Sequence, residues 1–196
     1  ILFRLVGSEM CIRDRVTAHL ALALTLVVTV SALTQVLLAD ASTTAAPRWW
    51  VLLGSFSVLA VCGQSLLGAR MATTWASQRC LEAGASCHWL HWHRMAATPA
   101  ALSVLVFVFV ALFSGRWGRS QWPLLCTALL LVGTQIALGV STLRLGLSQP
   151  ALTVGHQLVA CLLVAVLAAL TFRRQPPASD ALIALPDSSA LEACHG

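Results

Sequence analysis

Charge is what this sequence has least of. Charged side chains make up 10% of its 196 residues, lysine is absent, and the formal net charge of +5 therefore comes from arginine alone. Soluble domains usually carry about 25% charged residues, so this chain cannot cover a water-facing surface. No basic stripe interleaved with exposed aromatic residues is present, and we interpret the positive charge as an orientation signal and not as a nucleic-acid site.

The catalytic motifs of soluble enzymes are also missing. The sequence contains no phosphate-binding loop, no nucleophile motif and no pair of carboxylates placed for acid–base chemistry. The soluble enzyme classes that depend on those motifs are therefore excluded.

Long apolar runs dominate what is present. Five runs reach the length of about 20 residues that crosses the hydrocarbon core of a bilayer. They cover 16–39, 49–70, 95–114, 122–143 and 150–172. Backbone polar groups cannot stay unpaired in lipid, so each run is predicted to be a helix. The seven tryptophans lie at run ends or between runs, which is typical of an interfacial belt. The predicted fold class is an all-α, multi-pass integral membrane protein with five transmembrane helices.

Arginine placement predicts the orientation of the helices. One side of the membrane would carry five arginines, which are Arg48, Arg116, Arg119, Arg173 and Arg174, against four on the other side. The positive-inside rule places the group of five in the cytoplasm, so the loop that contains Cys80 and Cys87 is predicted to be external. An oxidising compartment favours a disulfide between these two cysteines over two free thiols, and the four-ligand spacing of a structural zinc site is absent.

Both ends of the chain differ from its middle. The stretch VGSEMCIRDR (6–15) resembles a translated sequencing-library adapter, so residues 1–15 are interpreted as a non-native scar. The native part would then be a fragment that starts at residue 16. At the other end, 173–196 is rich in Pro, Ser and Ala and is predicted to be a flexible cytoplasmic tail.

Three histidines are predicted to lie at one depth in the membrane. His19, His93 and His156 fall near the same end of the first, third and fifth runs. Ionisable residues inside a membrane are costly and mark candidate functional sites, although a lone histidine is more often a packed, hydrogen-bonded residue. His88 and His91 precede the apolar run and are expected in the loop or at the interface, so His93 is the preferred ligand.

A repeated pattern pairs two of these histidines. The second and fourth runs share Gln-x-x-x-Gly, at Gln64–Gly68 and at Gln135–Gly139, and each is followed by a helix with a histidine. A two-fold axis along the membrane normal would turn His93 toward His156, as in a bis-histidine haem site. Close helix packing through glycine is the simpler explanation of the pattern, and both can hold.

The surroundings of His93 suit a flat ligand. The helical positions on its face are all alanine, namely Ala96, Ala97, Ala100 and Ala101, which leaves room for a porphyrin edge but also suits a tight helix pair. Haem propionates need cations, and the arginines at the right depth are Arg94, Arg70 and Arg144.

In order along the chain, these residues resemble the carboxy-terminal half of the haem A synthase family. The resemblance rests on the loop cysteine pair, on His93-Arg94 opening a helix, on Gln135 to Val140, and on His156-Gln157. It covers residues 16 to about 174. Members of this family have eight transmembrane helices in two similar halves and oxidise a methyl group of haem O to the formyl group of haem A.

The resemblance implies a role for each site residue. His93 and His156 would ligate the iron of a haem b, Cys80 and Cys87 would form the external disulfide, and His19 would help to hold the substrate haem. The implied domains are a helix of the amino-terminal half (16–39), a cytoplasmic linker (40–48) and an antiparallel four-helix haem b-binding half (49–172).

One departure from the family bears on activity. The family's Glu-x-x-His-Arg is absent, since Leu90 stands three residues before His93. The full-length protein is therefore expected to be a membrane haem-dependent oxidoreductase, and this fragment alone is expected to be inactive. Its expected location is the bacterial cell membrane, and its expected partners are the lipid bilayer, haem O, haem O synthase and a redox partner.

Two alternatives remain open. His93 and His156 would serve equally well in a b-type cytochrome subunit that only transfers electrons. In a non-catalytic helix bundle for transport or assembly, the same histidines would be structural.

Overall fold

The computed structural model describes residues 2–40, 43–71, 82, 87–145 and 149–175, with backbone only for 2–13. Within these residues the chain forms six named helices. They are α1 (Leu2–Leu37), α2 (Arg48–Ala69), α3 (His88–Phe113), α4 (Arg116–Ser120), α5 (Trp122–Arg144) and α6 (Pro150–Thr171). All of these except the short α4 are long and apolar enough to cross a membrane, which confirms the predicted fold class.

Two helices begin earlier than the apolar runs indicate. Helix α1 begins at Leu2 and continues through the segment that we interpret as an adapter scar, with a membrane-compatible part from Asp14 to Leu37. Helix α3 begins at His88 instead of residue 95. Residues 88–94 contain no proline or glycine, so nothing in that segment stops the helix from extending beyond the apolar run.

Four helices form a closed ring. The main contacts join α2 to α3, α3 to α5, α5 to α6, and α6 back to α2, so that α3 and α6 lie diagonally across the ring. Helix α1 packs on the outside of the ring against α6 and α2. The four helices of the ring correspond to the segment that the sequence assigns to one half of the protein.

Consecutive helices of the ring run in opposite directions. At one end of the ring, a single cavity is lined by the carboxy-terminal parts of α2 and α5 and by the amino-terminal parts of α3 and α6. His93 and His156 both lie there, and we call this the histidine end. Two helices that begin at the same end of a bundle run parallel, which gives α3 and α6 a common direction.

The opposite end of the ring is closed by Trp50. Its side chain is fully buried, and its indole N–H donates to the main-chain oxygen of Leu170 at 2.7 Å. Its ring lies 5.1 Å from the ring of Phe107 and 4.7 Å from that of Trp117. Trp50 thus lies at the end of its helix, as the sequence predicts, but inside the bundle and not on its surface. The main-chain oxygen of Leu170, in the last turn of α6, accepts from this indole as well as from the main-chain N–H of Arg173.

Close packing of α2 on α6 at this end gives a testable prediction for stability. A Cβ at position 54 would overlap the hydroxyl of Thr171, which is buried and donates to the oxygen of Leu167. Gly54→Ala should therefore lower the free energy of unfolding in detergent by about 1–3 kcal/mol. The measurement is thermal unfolding by circular dichroism. Gly133→Ala is the matched control, because no atom lies within 4 Å of its Cβ. Equal melting of the two variants would contradict the packing.

The linker and the start of the tail pair with each other. Thr44 and Gln175 exchange main-chain hydrogen bonds of 2.8 and 3.0 Å. Arg173 also donates to the side-chain oxygen of Gln35 on α1 at 3.3 Å. The predicted tail therefore begins with residues that contact the bundle, while 176–196 lies outside the described residues.

Candidate functional site

The histidine end of the ring encloses a cavity of about 1170 Å³. Segments of α1, α2, α3, α5 and α6 line it, and all three histidines of the predicted layer, His19, His93 and His156, contribute to its wall. Cavities that bind drug-sized ligands usually measure about 300–1,000 Å³. This cavity is therefore large enough for a ligand somewhat larger than those.

His93 is held by the Gln-x-x-x-Gly segment of α2. The side-chain amide of Gln64 donates to the main-chain oxygen of His93 at 2.7 Å, and Nδ1 of His93 donates to the main-chain oxygen of Gln64 at 3.1 Å. One turn later, Gly68 leaves the space that the imidazole fills, since a Cβ there would lie 3.1 Å from Cε1 of His93. Glutamine and glycine together therefore form a cradle for one ring.

His156 packs against the equivalent positions of α5, but its Nδ1 has no hydrogen-bond partner among the described residues. The side-chain Nε2 of Gln135 lies 3.3 Å from Nε2 of His156. A Cβ at Gly139 would lie 3.1 Å from Cε1 of His156, the same distance as for the pair in the other half. The repeat seen in the sequence is thus a repeat of contacts, in which each histidine packs on the Gln-x-x-x-Gly of the helix before it.

The hydrogen bonds bear on which ring nitrogen a ligand would meet. A main-chain carbonyl only accepts, so Nδ1 of His93 donates to the oxygen of Gln64. Nε2 of each ring lies near a glutamine amide nitrogen, at 3.4 Å from Gln64 for His93 and at 3.3 Å from Gln135 for His156. A metal at either Nε2 would therefore have to displace the glutamine amide beside it.

Three buried polar atoms in this cavity wall have no hydrogen-bond partner in the described part of the chain. They are Oε1 of Gln64, Oε1 of Gln135 and Nδ1 of His156. Two of them are the same atom in the two halves of the repeat. Buried polar atoms in folded proteins are nearly always paired, so these atoms mark a wall where a bound molecule would supply the partner.

The structure separates the three predicted propionate partners. Arg94 and Arg144 line the cavity and are exposed, so their charges lie where a ligand's carboxylates would reach solvent. Arg70 lies elsewhere, because its guanidinium pairs with Asp14 at 2.6 Å and contributes to a different cavity. The assignment of Arg70 to the haem site is therefore corrected. Arg70 ends α2 on the side that faces α1 and the first turn of α3.

The structure separates the neighbouring histidines and alanines of α3. Of the three histidines between 88 and 93, only His93 reaches the cavity, whereas His88 and His91 are exposed in the first turns of α3. The predicted alanine face divides, since Ala97, Ala100 and Ala101 line this cavity while Ala96 lines the other one.

The cysteine prediction falls partly outside the described residues. Cys87 is disulfide-bonded, but Cys80, its expected partner, lies outside them. The pairing of these two cysteines therefore stays a prediction. Cys62, Cys126 and Cys161 are free thiols.

The described side chains around the cavity do not form a site for a free metal ion. In the part of the chain that the structure describes, no three His, Cys, Asp or Glu side chains come together to hold a metal ion. Two imidazoles in one cavity would suit an iron atom whose other positions are filled by a ligand of its own, as in a porphyrin. The two rings on one cavity wall, the glycines that they pack on and the two exposed arginines fit that group.

The sequence did not assign a contact to either glutamine. The Gln-x-x-x-Gly pattern was visible, but its glycine suggested only helix packing. The four-residue spacing could have predicted the contact, because a helix position four residues before a glycine lies one turn away on the same face. A ring inserted against the glycine therefore has to meet the glutamine.

Comparison of this chain with protein-family models, with curated proteins and with solved structures finds no match.

Proposed function

We propose that this chain is the haem b-binding half of a haem A synthase, with His93 and His156 as the two axial ligands of the iron. One observation supports the proposal: two imidazoles, each packed against the glycine of a Gln-x-x-x-Gly segment, line one cavity from diagonal helices. A histidine that only packs helices together would not require a second histidine in the wall of the same cavity, which measures about 1170 Å³.

The residues around the cavity would divide the work of holding the group. The main-chain oxygen of Gln64 would hold Nδ1 of His93, an outer contact of the kind that fixes the tautomer of a ligand. The amide of Gln135 lies beside Nε2 of His156 and would have to move aside for the iron.

Arg94 and Arg144 would pair with the propionates at the rim. Apolar side chains such as Val104 and Leu163, which also line the cavity, exclude water. Bound haem iron would supply a one-electron redox couple whose potential these surroundings set.

The larger activity is proposed from the sequence resemblance. The whole enzyme would oxidise the methyl group of haem O to the formyl group of haem A, and this half would relay the electrons. His19 would contribute to the substrate haem, and the Cys80–Cys87 loop would lie outside a bacterial cell membrane with the tail inside. Haem O synthase and a separate electron acceptor are the proposed partners.

Haem binding by the isolated chain tests the proposal. The full chain, purified in detergent and titrated with haem, should bind one haem with the absorption spectrum of a low-spin, six-coordinate iron. Two neutral imidazoles are a strong enough ligand pair to produce that state. A chain that is helical by circular dichroism but binds no haem, or binds it with a high-spin spectrum only, would contradict the proposal.

An electron-transferring b-type cytochrome is the second candidate, because His93 and His156 in one cavity would serve such a subunit equally well. A coding sequence that places Glu-x-x-His-Arg upstream of Val16 would support the synthase. Its absence from the complete gene would support the cytochrome.

A further inference from the structure

A second cavity, of about 620 Å³, lies between α1, α2 and α3 and receives nothing from α5 or α6. Its wall is almost entirely apolar and includes Phe56, Leu59 and Pro99. Phe56 and Leu59 are 63% and 70% exposed, so this cavity opens to the surface of a bundle that faces lipid. It is a groove on the outer surface of the bundle, and it shares Gln64 and Ala100 with the wall of the histidine cavity.

The groove has unfilled space in its wall. Gly63 lines it, and no atom lies within 4 Å of where a Cβ would stand on this glycine. In contrast, Gly54 and Gly68 on the same helix are each filled by a side chain from a neighbouring helix. The space at Gly63 is therefore open to a ligand from outside the protein.

One end of the groove carries the guanidinium of Arg70. It lies 5.1 Å from the centre of the Trp89 ring, which holds it in place, and Nη1 is 2.6 Å from a carboxylate oxygen of Asp14. Asp14 falls in the segment that we interpret as a scar, and its carboxylate shows only that an oxyanion can reach this guanidinium. The Asp14 side chain is 60% exposed, and an ion pair of this kind contributes little stability.

We propose that this groove binds an anionic phospholipid, with one acyl chain along α2 and the phosphate on Arg70. An apolar groove with an arginine at its end matches an amphiphile with an anionic head group. The forked guanidinium suits a phosphate, and it would gain little from the neutral carbonyls of a quinone. Asp14 occupies the same position on Arg70, so the acid and the phosphate compete. This proposal does not rest on haem binding.

Lipid binding to the full chain in detergent tests whether Arg70 selects an anionic head group. Phosphatidylglycerol and phosphatidylcholine with the same acyl chains are titrated separately, and native mass spectrometry counts the bound lipid. Wild type should prefer phosphatidylglycerol by about fivefold, the contribution of one arginine near a membrane surface. Arg70→Gln should abolish the preference, and Asp14→Asn should increase it. Arg116→Gln, which removes an exposed arginine outside the groove, should leave it unchanged.

A second pair of variants tests the position. Gly63→Leu should fill the groove and reduce the binding of both lipids, while Gly133→Leu, with equal open space but outside the groove, should bind them as wild type does. Because both sites are open, both variants should keep their helical content. Equal binding of the two lipids by wild type, an undiminished preference in Arg70→Gln, or normal binding by Gly63→Leu would overturn the proposal. So would a quinone that copurifies and that phosphatidylglycerol cannot displace.

Discussion

His93→Ala and His156→Ala should each abolish the low-spin, six-coordinate haem spectrum and weaken haem binding by more than about 100-fold. Changes to residues that merely support a metal ligand cost about 10–100-fold in affinity, so loss of the ligand itself should cost more. The two variants should be equivalent, because each ring is the sole imidazole that its half of the repeat contributes to the cavity in the described chain. Optical spectra and haem titration provide the measurement.

His91→Ala is the matched control for this prediction. His91 lies on the same helix as His93, two residues earlier, but it is exposed and does not line the cavity. The His91→Ala variant should keep the wild-type spectrum. A His91→Ala variant that loses haem as completely as His93→Ala would contradict the assignment.

Free imidazole distinguishes ligation from a structural role. Truncation of His93 leaves a space beside Gly68 that has the shape of the missing ring. Added imidazole should enter that space, bind the iron and restore the six-coordinate spectrum. If histidine were needed only to pack α2 against α3, the added base would restore nothing.

The helices of this chain could be predicted from the sequence because a bilayer imposes a length and a composition on them. The same reasoning placed His93 and His156 together, since two helices with a common direction bring equivalent positions to a common depth. The sequence pattern could not predict toward which neighbouring helix each side chain points. Arg70 stands at the right depth for the haem site, yet it is directed to the other side of α2, where Trp89 and Asp14 lie.

Trp50 illustrates a second limit of the sequence. At the end of an apolar run, an interfacial tryptophan and a buried one have the same sequence signal. The difference lies in whether a neighbouring helix offers its indole an acceptor. The main-chain oxygen of Leu170 does so from 120 positions away. Contacts between distant segments of this kind are decided by packing alone.

Gly68→Val and Gly139→Val should each weaken haem binding by about 10–100-fold without unfolding the bundle. In both halves, a Cβ would lie 3.1 Å from Cε1 of the cradled imidazole, and the further methyl groups of valine leave the ring no room. The ring must then tilt away from the glutamine that orients it. Haem titration measures the affinity, and thermal unfolding in detergent measures the stability.

Gly133→Val separates this effect from the general cost of valine in a helix. No atom lies within 4 Å of a Cβ at Gly133, and this glycine lines neither cavity. Its variant should therefore bind haem as wild type does. The two cradle variants should also match each other, because their contacts with the rings are the same in both halves of the repeat. A large loss of haem in one cradle variant but not in the other would mean that only one of the two histidines ligates the iron. The repeat would then be one of helix packing, as the glycine pattern alone suggests.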